Sequence, residues 1–444
     1  MRQELIEKIG RKEATITVVG LGHVGLPTAI MFAKSGFQVI GVDMKPEVVE
    51  SVSSRKSHIR EPELEDFLRE VVENGRLKAT TDLQQAFRNS EIGLVCVQTP
   101  LTGKKQPDLS LVRKAFSDIA RSLGKGKLVV IESSVPPGTT RNLAKMLETE
   151  SKLKCGRDFW LAHCPERILV GNAVRDFVQS TRIVGGYNET STEIAVKLFR
   201  KVTRGKILAT DCTTAEVAKL AENSFRDVNI AFANELALIC EKIGVDVLDV
   251  VKLANTHPRV RIHNPGPGVG GPCITKDPLL LLDSVKKHGF RSKVMQNSRE
   301  LNEHMPEHIV ALTVGALEKV GKDVKTSKIA ILGAAYKGET DDPRNSPSEA
   351  IVHSLMKLGS NVVIYDPYTT ESFGATRASD IRSALKGANC VVMATEHKMF
   401  KKLELTELRD IMSQKPVIVD GRRLIDPLEA MKLGFRYVGV GFKS

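Results

Sequence analysis

A thiol, an ammonium and a carboxylate stand close together in the run Asn264-Pro-Gly-Pro-Gly-Val-Gly-Gly-Pro-Cys273-Ile-Thr-Lys276-Asp277-Pro278, which also holds four prolines and four glycines. Glycine supplies backbone angles closed to other residues and proline freezes its own, so the run specifies a compact loop rather than a core element. Such a loop lets main chain approach a bound molecule and offers it the sulfur of Cys273, with Lys276 and Asp277 alongside. A lone cysteine in a structural turn also serves as a small buried hydrophobe. Motifs elsewhere in the chain decide for the first reading.

The elements that must position this loop begin near the N-terminus. Thr15 to Val19 form a β-branched run that enters Gly20-Leu-Gly22-His23-Val24-Gly25; an amphipathic stretch follows to Lys34, and a second apolar run from Phe37 to Val42 ends on Asp43. Strand, glycine turn, helix, strand and acid, in that order, are the dinucleotide-binding fingerprint. Gly20 makes the tight turn, Gly22 admits a pyrophosphate against bare backbone, and Gly25 lets the helix pack on the strand; His23 and Val24 complete the turn. Asp43 would accept hydrogen bonds from the adenosine ribose, which favours NAD, while Lys45 nearby leaves NADP open. Further strands are expected at Ile92 to Val97, Leu128 to Ile131, Phe159 to Ala162, Arg182 to Val184 and Ile207 to Leu208. Their carboxyl ends are where an open α/β sheet keeps its ligands. Three of them carry Gln98-Thr99-Pro100, Glu132-Ser133-Ser134-Val-Pro-Pro-Gly138 and His163-Cys164-Pro165-Glu166-Arg167. Each is also an ordinary strand-breaking turn, but three on one rim point to a ligand, with Thr99 and Ser134 on the cofactor side.

From Thr213 to about His304 the pattern turns helical, with Ala215, Ala218, Leu220, Ala221, Phe225, Val228, Phe232, Leu236 and Ile239 in repeat. Lys219 and Asn223 stand at i and i+4 and project from one face. A solvated face is the ordinary reading of such a pair; the flanking Ala218, Leu220 and Phe225 argue for a partly enclosed one. A second α/β module opens with Lys328 to Leu332, then Gly333-Ala-Ala-Tyr336-Lys337-Gly338, a segment through Arg344 to Pro347, a helix to Lys357, and strand Asn361 to Tyr365 ending on Asp366. Strands Cys390 to Ala394 and Pro416 to Val419 continue it, the latter running into Asp420-Gly-Arg422-Arg423. The first module's order is repeated, but Lys337 and Arg344 occupy the turn that a dinucleotide domain keeps for glycine. Cations there suit a separate nucleotide diphosphate.

At 444 residues the chain exceeds one core, and three domains are expected: 1–212 for the dinucleotide, 213–320 helical, and 321–444 for the second nucleotide. Apolar residues at 41% and charged residues at 27% describe an ordinary globular composition. No apolar run approaches the ~20 residues of a membrane span, and the N-terminus lacks the order of a signal peptide. The seven cysteines stand singly, without C-x-x-C spacing, which argues against a metal site and for a reducing, cytoplasmic home. The net charge of +12 comes from Lys and Arg interspersed with Asp and Glu, so an anionic small molecule explains it and nucleic acid is not expected.

GLGHVG with Asp43, ESSVPPGTT, HCPER, the Lys219/Asn223 pair, NPGPGVGGPCITKDP, GAAYKGETDDPRNSP and DGRR together resemble the UDP-sugar 6-dehydrogenase family over essentially the whole chain. The resemblance implies an N-terminal NAD-binding Rossmann domain, a central helical domain whose long connecting helix forms a homodimer, and a C-terminal Rossmann-like UDP-binding domain. It implies oxidation of a primary alcohol to a carboxylate by two NAD in succession. Cys273 is then the nucleophile, Lys219 the oxyanion or proton-transfer group, and Asn223 and Asp277 the holders of the substrate hydroxyl and the hydrolytic water. Arg167, Ile168, Arg259, Gly266, Tyr336, Lys337, Arg344 and Arg422 match positions that bind the UDP-sugar, together with Lys219 and Asn223. HCPER and THPRV lean to the N-acetylhexosamine branch, with Val170 where the UDP-glucose branch has a second Glu, so UDP-N-acetyl-D-mannosamine is the expected substrate. Pro272, Thr275-Lys276 and His23 depart from that branch and keep UDP-glucose and UDP-N-acetylglucosamine open. A β-hydroxyacid dehydrogenase would need neither Cys273 nor residues 328–444, and an inactive nucleotide-sugar sensor would not need Cys273, Lys219 and Asp277 together.

Overall fold

The computed structural model describes residues 1–168, 171–286 and 288–442; Val170 lies outside the described residues. The chain divides into two compact units, one of Met1–Glu222 with Leu279–Phe290 and one of Asn223–Pro278 with Arg291–Ser444.

The first unit is built on strands β1 (Thr15–Val19), β2 (Gln38–Val42), β3 (Leu77–Thr80), β4 (Ile92–Val95), β5 (Leu128–Ile131), β6 (Trp160–His163), β7 (Arg182–Gly186) and β8 (Ile207–Asp211). They lie in the order β3-β2-β1-β4-β5-β6-β7-β8, parallel throughout except where β7 meets β6. The first six take the order of a Rossmann sheet. Both faces are covered, which is why the strands read as unbroken apolar runs. Ile16, Val18, Leu128 and Val130 enter one core, and Val19, Val95, Val129 and Ile131 enter the other. β4 ends two residues earlier than its apolar run suggests, because the Ser133 hydroxyl takes the Val97 carbonyl at 2.6 Å where a strand partner would be. A helix over Arg2–Arg11, with Leu5 and Ile9 buried, precedes β1.

The second unit carries β9 (Lys328–Leu332), β10 (Asn361–Tyr365), β11 (Thr376–Arg377), β12 (Cys390–Met393), β13 (Val417–Asp420) and β14 (Arg436–Gly439). Its order, β11-β10-β9-β12-β13-β14, is parallel and repeats that of the first six strands. The helical middle of the chain is shared between the units. Its 32-residue helix Cys212–Ile243 begins in the first and ends in the second, and helix Val294–Lys319 belongs to the second. Ala237 and Cys240 from the former and Met305 and Ile309 from the latter join Ile329, Ile331, Val417 and Val419 in one core. Among the described residues no helix is long and apolar enough to cross a membrane.

Candidate active site

In the first unit the glycine turn follows β1 as its spacing predicts. Gly20 has φ +89° and its amide donates to the Val42 carbonyl at 2.7 Å. A Cβ on Gly25 would stand 1.7 Å from the Gly20 carbonyl oxygen, so any side chain there breaks the turn. A Cβ on Gly22 would meet nothing within 4 Å, which leaves an open approach to the helix Gly25–Lys34, whose first turn has no side-chain cap. A helix start approached over bare backbone suits a pyrophosphate. His23 is exposed and Val24 half-buried at the same turn. Asp43 accepts the Leu21 amide at 2.9 Å and the Lys45 amide at 3.0 Å, so its carboxylate is aimed, half-exposed, with lone pairs left for a ribose. His58, which the motif does not include, holds the Leu21 carbonyl at 2.9 Å. The Thr99 hydroxyl donates to the Ser134 carbonyl at 2.7 Å, so the two rim residues meet. These groups fit NAD.

Behind that rim lies a buried polar cluster. Glu132 accepts from the Thr28 hydroxyl at 3.2 Å and from the Cys96 thiol at 3.7 Å, and Arg182 pairs with Glu166 at 3.3 Å. Burial, and then the charge of Glu166, push the Glu132 carboxyl upward from its ordinary range. Burial likewise holds His163 down to about 3, with the charge of Lys219 adding to the effect. Lys219 is half-buried on the long helix. Arg167 is pinned: its Nε and NH2 reach the two oxygens of Glu222 at 3.1 and 2.6 Å, and NH1 donates to the Thr181 carbonyl at 2.7 Å. Ile168 packs against the core.

In the second unit the Gly/Pro loop is laid on the turn after β9. A Cβ on Gly270 or Gly271 would press to 2.6 or 2.7 Å of the Tyr336 side chain, and the Gly271 amide donates to the Arg344 carbonyl at 3.0 Å. Close backbone approach, available only to glycine, therefore brings the Cys273 loop onto Tyr336 and Arg344. Cys273 is exposed, so the reading of a buried structural cysteine is set aside. The Tyr336 hydroxyl is pushed up to about 12, by burial first and then by the charges of Asp342 and Cys273. Asp277, fully buried, accepts the Asn223 amide at 2.6 Å, and the Lys276 ammonium stands 3.9 Å from its other oxygen. The enclosed face expected at Asn223 is thus present.

The cations behave differently from one another. Lys337 is exposed, while Arg344 makes a two-pronged pair with Asp342 at 2.8 and 2.6 Å. Arg422 donates to the Ala394 carbonyl at 3.0 Å, pairs with Glu396 at 2.9 Å, and would stand 3.1 Å from a Cβ on Gly266. Gly266 faces Arg422, but its amide is taken by Asn234 at 2.9 Å. That bond starts a buried chain in which Asn234 donates to Asn302 at 2.9 Å, and Asn302 and Arg299 donate to Asp227 at 2.8 and 2.6 Å. Arg259 is exposed, and among the described residues it shares no hydrogen bond or ion pair with the other expected site residues.

Family models match the chain in series: the NAD binding domain of the UDP-glucose/GDP-mannose dehydrogenase family over residues 14–203, its central domain over 213–304 and its UDP binding domain over 330–427. The chain belongs to the UDP-glucose/GDP-mannose dehydrogenase family. It is similar to UDP-N-acetyl-D-mannosamine dehydrogenase of Pyrococcus horikoshii, 43% identical, with 96% of this chain and 99% of that one covered. A solved structure of the Pyrococcus horikoshii UDP-D-ManNAc dehydrogenase superposes with TM-score 0.90 at 42% identity, over 96% of this chain and 99% of that one. The NDP-N-acetyl-D-galactosaminuronic acid dehydrogenase of Methanosarcina mazei superposes with TM-score 0.87 at 34% identity, covering 99% and 98%.

As a member of the UDP-glucose/GDP-mannose dehydrogenase family, the protein is an NAD-dependent oxidoreductase of nucleotide sugars. The family's UDP binding domain takes in Tyr336, Lys337, Arg344 and Arg422. Sequence reasoning gave no role to Glu132, His58 or His397. Glu132 directly follows β5 and His397 stands a few residues past β12, so position on the rim was the available signal.

Proposed function

We propose that the protein oxidises carbon 6 of UDP-N-acetyl-D-mannosamine to the uronate: the alcohol, two NAD and one water give the carboxylate, two NADH and three protons. Bound NAD supplies the two hydride acceptors. Cys273 carries the reading: an exposed sulfur, presented by a glycine-built loop on the turn that holds Tyr336 and Arg344, in a chain with an NAD fingerprint. Its thiolate adds to the aldehyde carbon to form a thiohemiacetal; loss of the second hydride leaves a thioester, and water releases the acid and the thiol. Lys219 stabilises the oxyanion, and Asn223 and Asp277 hold the reacting hydroxyl and then the water. Lys337, Arg344 and Arg422 neutralise the diphosphate, with Arg167, Ile168, Arg259, Gly266 and Tyr336 lining the sugar and uridine. Gly20, Gly22, His23, Val24, Gly25, Asp43, Thr99 and Ser134 hold NAD.

The functional division that goes with this is 1–212 for NAD, 213–320 for catalysis and pairing, and 321–444 for UDP. The pairing partner is a second copy of the chain. Phe225, Phe232, Ile239 and Ile243 are exposed on the long helix, the first three at seven-residue spacing, which makes one apolar stripe suited to a like helix. Seven cysteines that form no disulfide among the described residues suit a reducing cytoplasm.

The test is incubation with NAD and each of UDP-N-acetylmannosamine, UDP-N-acetylglucosamine and UDP-glucose. Two NADH per UDP-N-acetylmannosamine, and slow reaction with the others, is the expected result; faster turnover of either other sugar reassigns the substrate.

A further inference from the structure

The two glycine turns use their acids differently. Asp43 keeps a half-exposed carboxylate, whereas Asp366, the matching acid after β10, is fully buried and already occupied. Its Oδ2 accepts the amides of Ala334 and Ala335 at 2.7 and 3.0 Å and the Nε2–H of His397 at 3.0 Å; its Oδ1 accepts Tyr368 and Thr369 at 2.8 and 3.1 Å. The other nitrogen of His397, Nδ1, accepts the Glu339 amide at 3.0 Å, which fixes the tautomer with its proton on Nε2. His397 is the last of three consecutive residues that grip the 335–339 backbone: the Thr395 hydroxyl donates to the Ala335 carbonyl at 2.6 Å, and Glu396 accepts the Gly338 amide at 3.3 Å. Glu339 needs such a grip, since it sits at φ +62° without being glycine.

We propose that His397 is a positioning residue for the UDP-binding loop: it fills the place on Asp366 that a ribose would take in a dinucleotide turn, and it locks the backbone that carries Lys337. The second turn is thereby held ready for a diphosphate. This rests on the UDP-sugar reading above.

The experiment is calorimetric titration of UDP, and separately of NAD, into wild type, His397→Ala, His397→Asn and His397→Gln. Asn places an oxygen where Nδ1 stands, whereas Gln reaches only the Nε2 position. His397→Ala removes both bonds, and loss of the one that holds the Glu339 amide should weaken UDP about tenfold. His397→Asn should recover most of that loss, His397→Gln should not, and NAD should bind all four alike. Equal UDP affinity in all four, or a parallel loss of NAD and UDP, overturns the proposal. If His397→Ala does not fold, the Asn and Gln variants decide, and equal UDP affinity in those two overturns it. Failure of wild type to bind UDP would instead sink the functional reading and this proposal with it.

Discussion

Asn223 donates its side-chain amide to Asp277 across 2.6 Å, and neither side chain reaches solvent to any extent. Fifty-four residues of chain separate them, and the bond ties the long helix to the end of the Cys273 loop. A buried carboxylate needs such partners, because an unpaired charge in the interior is costly. Asp277→Asn keeps the shape and an oxygen that Asn223 can reach, but removes the charge. Its kcat should fall at least about 100-fold, the usual scale for a lost proton-transfer group, with UDP binding within about threefold of wild type. Steady-state rates and UDP titration measure this; an unchanged kcat would take Asp277 out of the chemistry.

Cys273 is exposed, whereas Cys164, Cys212, Cys240 and Cys390 are buried and Cys155 is pushed up to about 12, by burial first and then by Glu148. Only a thiolate attacks an alkylating agent. Brief treatment of the native enzyme with iodoacetamide should therefore label Cys273 ahead of the other six, as read by peptide mass spectrometry, and UDP-sugar should protect it. Cys273→Ala should form no acid. Cys273→Ser should stall, since an alkoxide is harder to generate and its ester harder to hydrolyse than a thioester. Full activity in Cys273→Ala would exclude the covalent route.

Lys337 is exposed and Arg344 is already paired with Asp342, so the lysine has the freer charge for a phosphate. Lys337→Ala should raise KM for the UDP-sugar about tenfold, with KM for NAD within about twofold. Initial rates over a grid of both substrates read the two constants. Equal weakening of both would undo the assignment of Lys337 to UDP alone.

The parts of the site that were legible in the sequence are those whose constraint is local. Gly20, Gly25 and Asp43 belong to one strand-turn-helix-strand unit, and the clash of 1.7 Å at Gly25 shows why glycine is obligatory there. The loop of Gly270 and Gly271 was legible for the same reason. What was hidden depends on partners distant in sequence: Thr28 lies 104 residues from Glu132, and Asp366 lies 31 from His397. Gly266 was read as a substrate contact, and nothing local shows that Asn234 holds its amide. The short strands β3 and β14 and the helix Arg2–Arg11 escaped for a different reason. Leu77-Lys-Ala-Thr80 has one fully buried residue, and pairing with β2 rather than its own pattern makes it a strand.

Glu132 makes the pH dependence of stability testable. Its carboxyl is raised above the ordinary 4.5 by burial and then by Glu166, while Arg182, Thr28 and Cys96 pull the other way. A carboxyl whose folded pKa is raised is favoured in its protonated form by the fold. Its contribution is therefore complete below about 4.5, its unfolded value, and diminishes as pH rises from there to the raised folded value, above which the loss is constant. Glu132→Gln imitates the protonated form: the amide oxygen can take the Thr28 and Cys96 bonds, and the NH2 falls where Oε1 meets no donor among the described residues. Thermal unfolding of the two proteins should give similar midpoints at acid pH, with the Gln variant gaining as pH rises, by about 1.4 kcal/mol for each unit by which the carboxyl is raised. A difference that stays constant across that range would mean that Glu132 is ionised in the folded protein and that Arg182 outweighs its burial.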